Sequence, residues 1–279
     1  MRQLLALSIP CSVLTLFFSA AANRALAQPV YQTGFEQNQF VADFPLAGQD
    51  GWFSPPPLSP GAAVVVSDKP RFGGQTVRVL GADLVHQDFI GAVTDGYYDA
   101  IGSYRHPVNL ATNGSEVVTV SASLRVDGAK TALGNNFFSA SIIALAALTN
   151  GDAAGVGELA ISSDGHVYGY SGNEAVPVFQ ASTQVELGKW HTLTIVVDFG
   201  ARTYTFIVDH QVLGEFAFDP NNVDEDGNAV GYTTTLARGS VLAYAAPDTE
   251  SLAKADYAAY YDQFAIKTSP RKNYSGSGQ

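Results

Sequence analysis

From Val117 to Val126 the chain alternates, with Val118, Val120, Ala122, Leu124 and Val126 on one face and Thr119, Ser121, Ser123 and Arg125 on the other. A period of two marks a strand with one dry and one wet face. Similar short runs, bounded by Gly, Pro, Asn and Asp, predict further strands at Ala62–Ser67, Thr76–Leu80, Glu158–Ser162, His166–Tyr170, Trp190–Phe199, Thr203–Val208, Val212–Phe218 and Tyr257–Lys267. Phe137–Leu148 alternates weakly and fits either a strand buried on both sides or a helix. Its aromatic start and the Asn150-Gly151 turn behind it favour the strand. After residue 27 no segment keeps an apolar i, i+3, i+4, i+7 stripe for three turns, so the pattern predicts an all-β chain of ten or more strands.

Turn chemistry agrees with that spacing. Thr149-Asn150-Gly151-Asp152, Ser163-Asp164-Gly165 and Gly172-Asn173 supply residues that accept positive φ or cap a turn. The run Ser54-Pro55-Pro56-Pro57-Leu58-Ser59-Pro60 lacks the backbone donors a sheet interior needs and reads as a surface crossing. Asp95 to His106 reads as a loop at the rim.

The first 27 residues break the pattern: Arg2, an apolar run from Leu4 to Ala22, then Ala25-Leu26-Ala27 at the positions a signal peptidase reads. They predict a secretory signal, and with it a secreted, periplasmic or cell-surface location. Residues 28–268 are expected to form one β-sandwich domain, with 269–279 a polar, flexible tail. Cys11, the one cysteine, lies within the signal, so the fold beyond it is held without disulfides. No later run is long and apolar enough to predict a membrane span. The signal carries two arginines and no acid, leaving 13 basic against 26 acidic side chains. That balance argues against nucleic acid as a partner and makes calcium the first metal to consider.

Lys189 to Phe218 reads as three strands joined by two tight turns. Trp190, His191, Leu193, Ile195, Asp198, Tyr204, Val208 and Asp209 match a pattern common in one wall of concanavalin A-like lectin, glucanase and laminin-G-like jelly rolls, which the chain resembles. His210 stands where that pattern usually has Gly. Gly34-Phe35-Glu36, Gly48-Gln49-Asp50-Gly51-Trp52 and Ala259 to Ile266 are similar to the first strand, a following loop and the last strand of such modules. The resemblance implies a two-sheet antiparallel jelly-roll sandwich. It also implies a structural calcium shared by Glu36 and Asp262, the acids that match those of related modules.

Candidate chemistry is sparser. Asn222, Asp224, Asp226 and Gly227 approximate the opening of a calcium-binding loop, although it begins on Asn and has Thr233 where a Glu would close it. Glycosidases need two carboxylates facing one sugar, and none of these predicted strands carries acids two residues apart. Tyr104, Arg105 and His106 supply the residue types of a polysaccharide lyase, a cation for the uronate and a Tyr or His for the proton. Tyr97, Tyr98, Tyr104, Tyr168, Tyr170 and Asn173 supply aromatic faces and an amide for a sugar. The expected function is non-catalytic binding of a polysaccharide or cell-surface glycan. The alternatives are a polysaccharide lyase or glycoside hydrolase on the same fold, and a structural or adhesive surface domain without a sugar ligand.

Overall fold

The computed structural model describes residues 27–54, 62–81, 100–112, 116–128, 137–171, 177–181, 184–219, 230–246 and 257–271. Among them lie fourteen strands: β1 (Gln28–Thr33), β2 (Ala63–Val66), β3 (Thr76–Leu80), β4 (Ala100–Ala111), β5 (Glu116–Asp127), β6 (Phe137–Leu148), β7 (Ala153–Ser162), β8 (Val167–Ser171), β9 (Pro177–Gln180), β10 (His191–Asp198), β11 (Thr203–Val208), β12 (Gln211–Ala217), β13 (Tyr232–Ala246) and β14 (Ala258–Pro270). The signal segment up to residue 26 and the tail beyond residue 271 lie outside the described residues. β14 continues to Pro270, and Arg271 Nε pairs with Asp198 Oδ2 at 2.8 Å. No helix of the described residues is long and apolar enough to cross a membrane.

Every pairing is antiparallel, and the strands form two sheets. The eight-stranded sheet runs β12-β11-β10-β5-β14-β3-β2, with β1 added beside β14; the six-stranded sheet runs β4-β13-β6-β7-β8-β9. Four strands escape the periodic pattern. In β4, Pro107 removes a donor and Asn109 takes φ 45°, both tolerable because β4 is an edge. Pro177 opens β9, the opposite edge. In β13, register shifts around Leu236 and Arg238 break the alternation, and β1 is mostly exposed and carries Pro29 with a register shift between Pro29 and Tyr31.

The sheets pack face to face, and the glycines show how closely. A Cβ at Gly157 of β7 would stand 2.9 Å from the Tyr204 ring of β11, and one at Gly169 of β8 would strike Phe206. Those rings reach into the spaces the missing side chains leave, joining Ile195, Leu193, Leu159 and Ile161 in the core. Gly157 and Gly169 therefore mark the inner face of the six-stranded sheet, and their neighbours Glu158, Tyr168 and Tyr170 turn outward.

β14 pairs with β5 along one side, but changes partner on the other, from β3 (residues 258–261) to β1 (residues 264–268). The change falls at a bulge, where Gln263 takes φ 51° and Asp262 is fully buried.

Candidate functional site

The outer face of the six-stranded sheet is assembled from register. Arg105 on β4 lies opposite Ser240 on β13, Ser240 opposite Ile143 on β6, Ile143 opposite Glu158 on β7, and Glu158 opposite Tyr170 on β8. The next row out is Leu242, Ser141, Ala160 and Tyr168. Small residues, Ser139, Ser141, Ala160, Ser162 and Ser240, floor the middle of this face, and tyrosines rise along β8. The rings of Tyr168 and Tyr170 lie 6.3 Å apart at 33°, and Gln180 Nε2 reaches Tyr168 Oη at 3.5 Å.

Glu158 is the one carboxylate that the strands of this face carry among the described residues. Burial pushes its carboxyl up to about 7, against a small downward pull from the adjacent Ser141 hydroxyl. Ser141 Oγ, though beside the carboxyl, closes no hydrogen bond of ordinary geometry and is buried without a partner. Burial and the nearby Glu158 push the Tyr170 phenol up to about 12, so both its proton and that of a neutral Glu158 are donors at neutral pH. A carboxyl that holds its proton up to about pH 7, and the two phenols beside it, form a polar surface on a rigid sheet suited to hydroxylated ligands, with the serine hydroxyls buried beneath it.

The β4 end of the face is cationic. Arg105 and Arg238 are diagonal cross-strand neighbours, since Arg105 faces Ser240 and Pro107 faces Arg238. Phe53 pairs with Arg105 through Phe53 N to Arg105 O (3.0 Å) and Arg105 N to Phe53 O (2.8 Å). The Arg238 guanidinium lies 5.4 Å from the Phe53 ring centroid. Burial first, then the charge on Arg238, draws the Arg105 guanidinium down.

The three adjacent lyase candidates do not share this face, because residues 100–106 form a strand and not a rim loop. Tyr104 points inward, is fully buried, and its Oη accepts the Ala63 N–H at 2.8 Å. It is a core residue with no surface to offer a sugar. His106 stacks on Tyr31, centroids 3.6 Å apart, and its Nε2 lies 3.0 Å from the Asp50 carbonyl oxygen, while burial draws its pKa down. Of the three, Arg105 alone faces outward. Tyr97, Tyr98 and Asn173, and the loop with Asn222, Asp224 and Asp226, lie outside the described residues.

Glu36 and Asp262 meet at one loop, Arg71–Gly74, through hydrogen bonds. Glu36 Oε2 accepts the Gly74 N–H (3.0 Å). Asp262 Oδ2 accepts those of Arg71 (2.9 Å) and Phe72 (3.0 Å), and its Oδ1 accepts the Gln263 N–H (2.7 Å). Calcium requires oxygen ligands, whereas three peptide dipoles turn their positive ends to Asp262. As these side chains stand, they do not fit the ion. Among the described residues, no three His, Cys, Asp or Glu gather as a metal cluster.

No family model and no curated protein matches the chain. An endo-1,3-beta-glucanase from Streptomyces sioyaensis superposes with a TM-score of 0.52 at 11% identity, over 88% of this chain and 97% of the enzyme's. The fold is concanavalin A-like. Weaker likenesses run to lectin UEA-II complexed with galactose (TM-score 0.44, 9% identity, 86% and 98% of the two chains) and to a sialidase (0.43, 13% identity). This chain covers 85% of its own length in the latter match but spans 19% of the sialidase chain.

In this concanavalin A-like sandwich, Glu158 and Arg238 are the site residues that sequence reasoning missed. A faint signal existed for Glu158, the one charge in Ala-Ala-Gly-Val-Gly-Glu-Leu-Ala-Ile-Ser, on the face opposite Leu159 and Ile161. For Arg238 there was none, because its place beside Arg105 depends on a bulge in β13.

Proposed function

We propose that this chain is an exported, non-catalytic glycan-binding protein that takes its ligand on the outer face of the six-stranded sheet. The observation that carries the reading is the pairing of Glu158 with Tyr170, beside Tyr168 and above the partnerless Ser141 hydroxyl. Tyrosine rings offer flat apolar faces to sugar C–H groups, and the carboxyl and the phenol hydroxyls meet sugar hydroxyls. The fold-level likeness to a glucanase makes a glycan the first ligand class to test, and the pattern of residues 1–27 supports export.

Binding without cleavage is preferred because hydrolysis needs a second carboxylate roughly 5 to 9 Å from the first. Glu158 has no such companion on the strands of its face among the described residues.

The test is affinity electrophoresis of the full chain through gels cast with soluble polysaccharides, with reducing ends and ultraviolet absorbance followed in parallel. Retardation by at least one polymer with unchanged chain length is expected. Tyr170→Ala should weaken it roughly tenfold, about 1.4 kcal/mol. New reducing or unsaturated ends would replace binding with hydrolase or lyase activity, and no retardation by any polymer would leave the structural or adhesive alternative.

A further inference from the structure

Three successive outward positions, in β8 and the turn before it, carry rings: His166, Tyr168 and Tyr170, each partly exposed. Their centroids stand 6.2 and 6.3 Å apart, close to the advance of two residues along a strand. On the same face the next strand, β7, carries Glu158, Ala160 and Ser162, and behind it β6 carries Ile143, Ser141 and Ser139. The rings therefore form a strip along β8, and none continues it onto those positions of β7 and β6.

Each ring has a polar companion. Tyr170 faces Glu158, Gln180 Nε2 reaches Tyr168 Oη at 3.5 Å, and Asp164 Oδ2 lies 3.0 Å from His166 Nδ1. Asp164 is itself fixed, since its Oδ1 accepts the His166 N–H at 3.1 Å and the Ser162 hydroxyl. Burial pushes the Asp164 carboxyl up, but these bonds outweigh it and hold the group below its usual range, so it is charged at neutral pH. With a carboxyl at each end of the strip and a net charge of −11 on the chain, an acidic polymer is repelled.

The strip is not flat. The planes of His166 and Tyr168 are turned by 48° and those of Tyr168 and Tyr170 by 33°, in keeping with the twist of a strand. The flat face of a crystalline polysaccharide would lie against one ring and miss the others, whereas a separate chain can turn with the strip.

We propose that His166 is a third sugar platform in line with Tyr168 and Tyr170, and that the strip receives at least three consecutive sugar residues of a neutral, linear polysaccharide lying along β8 as a single chain. The rings stack against the C–H faces of successive sugars, and the carboxyl, amide and carboxylate beside them meet the hydroxyls. The inference rests on the glycan-binding reading of this face and deepens it by naming the ligand's charge, form and direction.

The experiment is calorimetry of the full chain with neutral oligosaccharides of two to six residues from β-1,3-glucan, β-1,4-glucan, xylan and mannan, with alginate and crystalline cellulose as further ligands. In at least one series the affinity should rise about fivefold from the disaccharide to the tetrasaccharide. His166→Ala should remove that gain and leave the disaccharide affinity unchanged, and His166→Phe, which keeps a ring, should preserve it. The length series on the unaltered chain decides the matter even where a variant does not fold. A disaccharide bound as tightly as a hexasaccharide, an equal effect of His166→Ala at every length, or preference for alginate or for crystalline cellulose overturns this inference while leaving glycan binding intact. No binding to any of these ligands overturns both.

Discussion

Glu158 on β7 and Tyr170 on β8 are direct cross-strand partners on the outer face of the six-stranded sheet, where burial tightens the hold of each on its proton and the Glu158 charge tightens that of Tyr170 further. For Glu158 this makes stability depend on pH. Its folded-state value of about 7 stands above the ordinary 4.5, so the folded chain binds the proton more tightly than the unfolded one. Stability is therefore fully present below about 4.5 and falls as pH rises to about 7, by at most about 3 kcal/mol because the residue is only partly buried. Glu158→Gln should lack this slope and be the more stable form at pH 8. Urea melts of both proteins at several pH values between 4 and 8 check it; parallel curves would remove the raised carboxyl from the account.

Tyr104→Phe should leave glycan binding unchanged and lower stability by about 1–3 kcal/mol, because the Ala63 N–H loses its acceptor in a buried setting. A melt and a binding curve on the same preparation decide it. Lost binding with an unchanged melt would return Tyr104 to the site.

The contrast between Tyr104 and Glu158 shows which features a sequence carries. Periodicity is local, so β5, β10 and β11 could be read from alternation alone, and the hairpin from Trp190 to Phe218 lies close to where the pattern puts it. Adjacent residues such as Tyr104, Arg105 and His106 look like a site on paper. A strand sends alternate side chains to opposite faces and separates them. The outer face instead draws Arg105, Ser240, Ile143, Glu158 and Tyr170 from five strands. Their meeting depends on register across the sheet and on bulges in β13, which no short window of sequence contains.

Asp262→Ala should be strongly destabilising, on the order of 3 kcal/mol, since it strips the acceptor from the N–H groups of Arg71, Phe72 and Gln263 at the point where β14 changes partner. Because those donors already satisfy the carboxylate, excess chelator should move the wild-type melting temperature by no more than about 1 °C. A drop of several degrees, reversed by calcium and still seen in Asp224→Asn, would mean that the ion displaces the peptide donors at Glu36 and Asp262.

The turn joining β11 to β12 has two central residues, Asp209 at φ 47° and His210 at φ 70°, with Val208 paired to Gln211. Two positive φ values in a two-residue hairpin define a type I′ turn, whose twist matches the strands it joins. Asp209 is held there: its Oδ2 lies 2.7 Å from His191 Nδ1, and its Oδ1 accepts the Thr192 N–H at 2.8 Å. His210 has no such anchor among the described residues, and a side chain in the left-handed region costs roughly 1–2 kcal/mol that glycine avoids. His210→Gly should therefore stabilise the chain by about 1 kcal/mol, a rise of about 3 °C in melting temperature. Asp209→Gly, which also gains the freedom but loses both anchors, should not. A calorimetric melt of the two variants separates the effects, and a His210→Gly protein that melts below the wild type would show that the imidazole has a role in the turn.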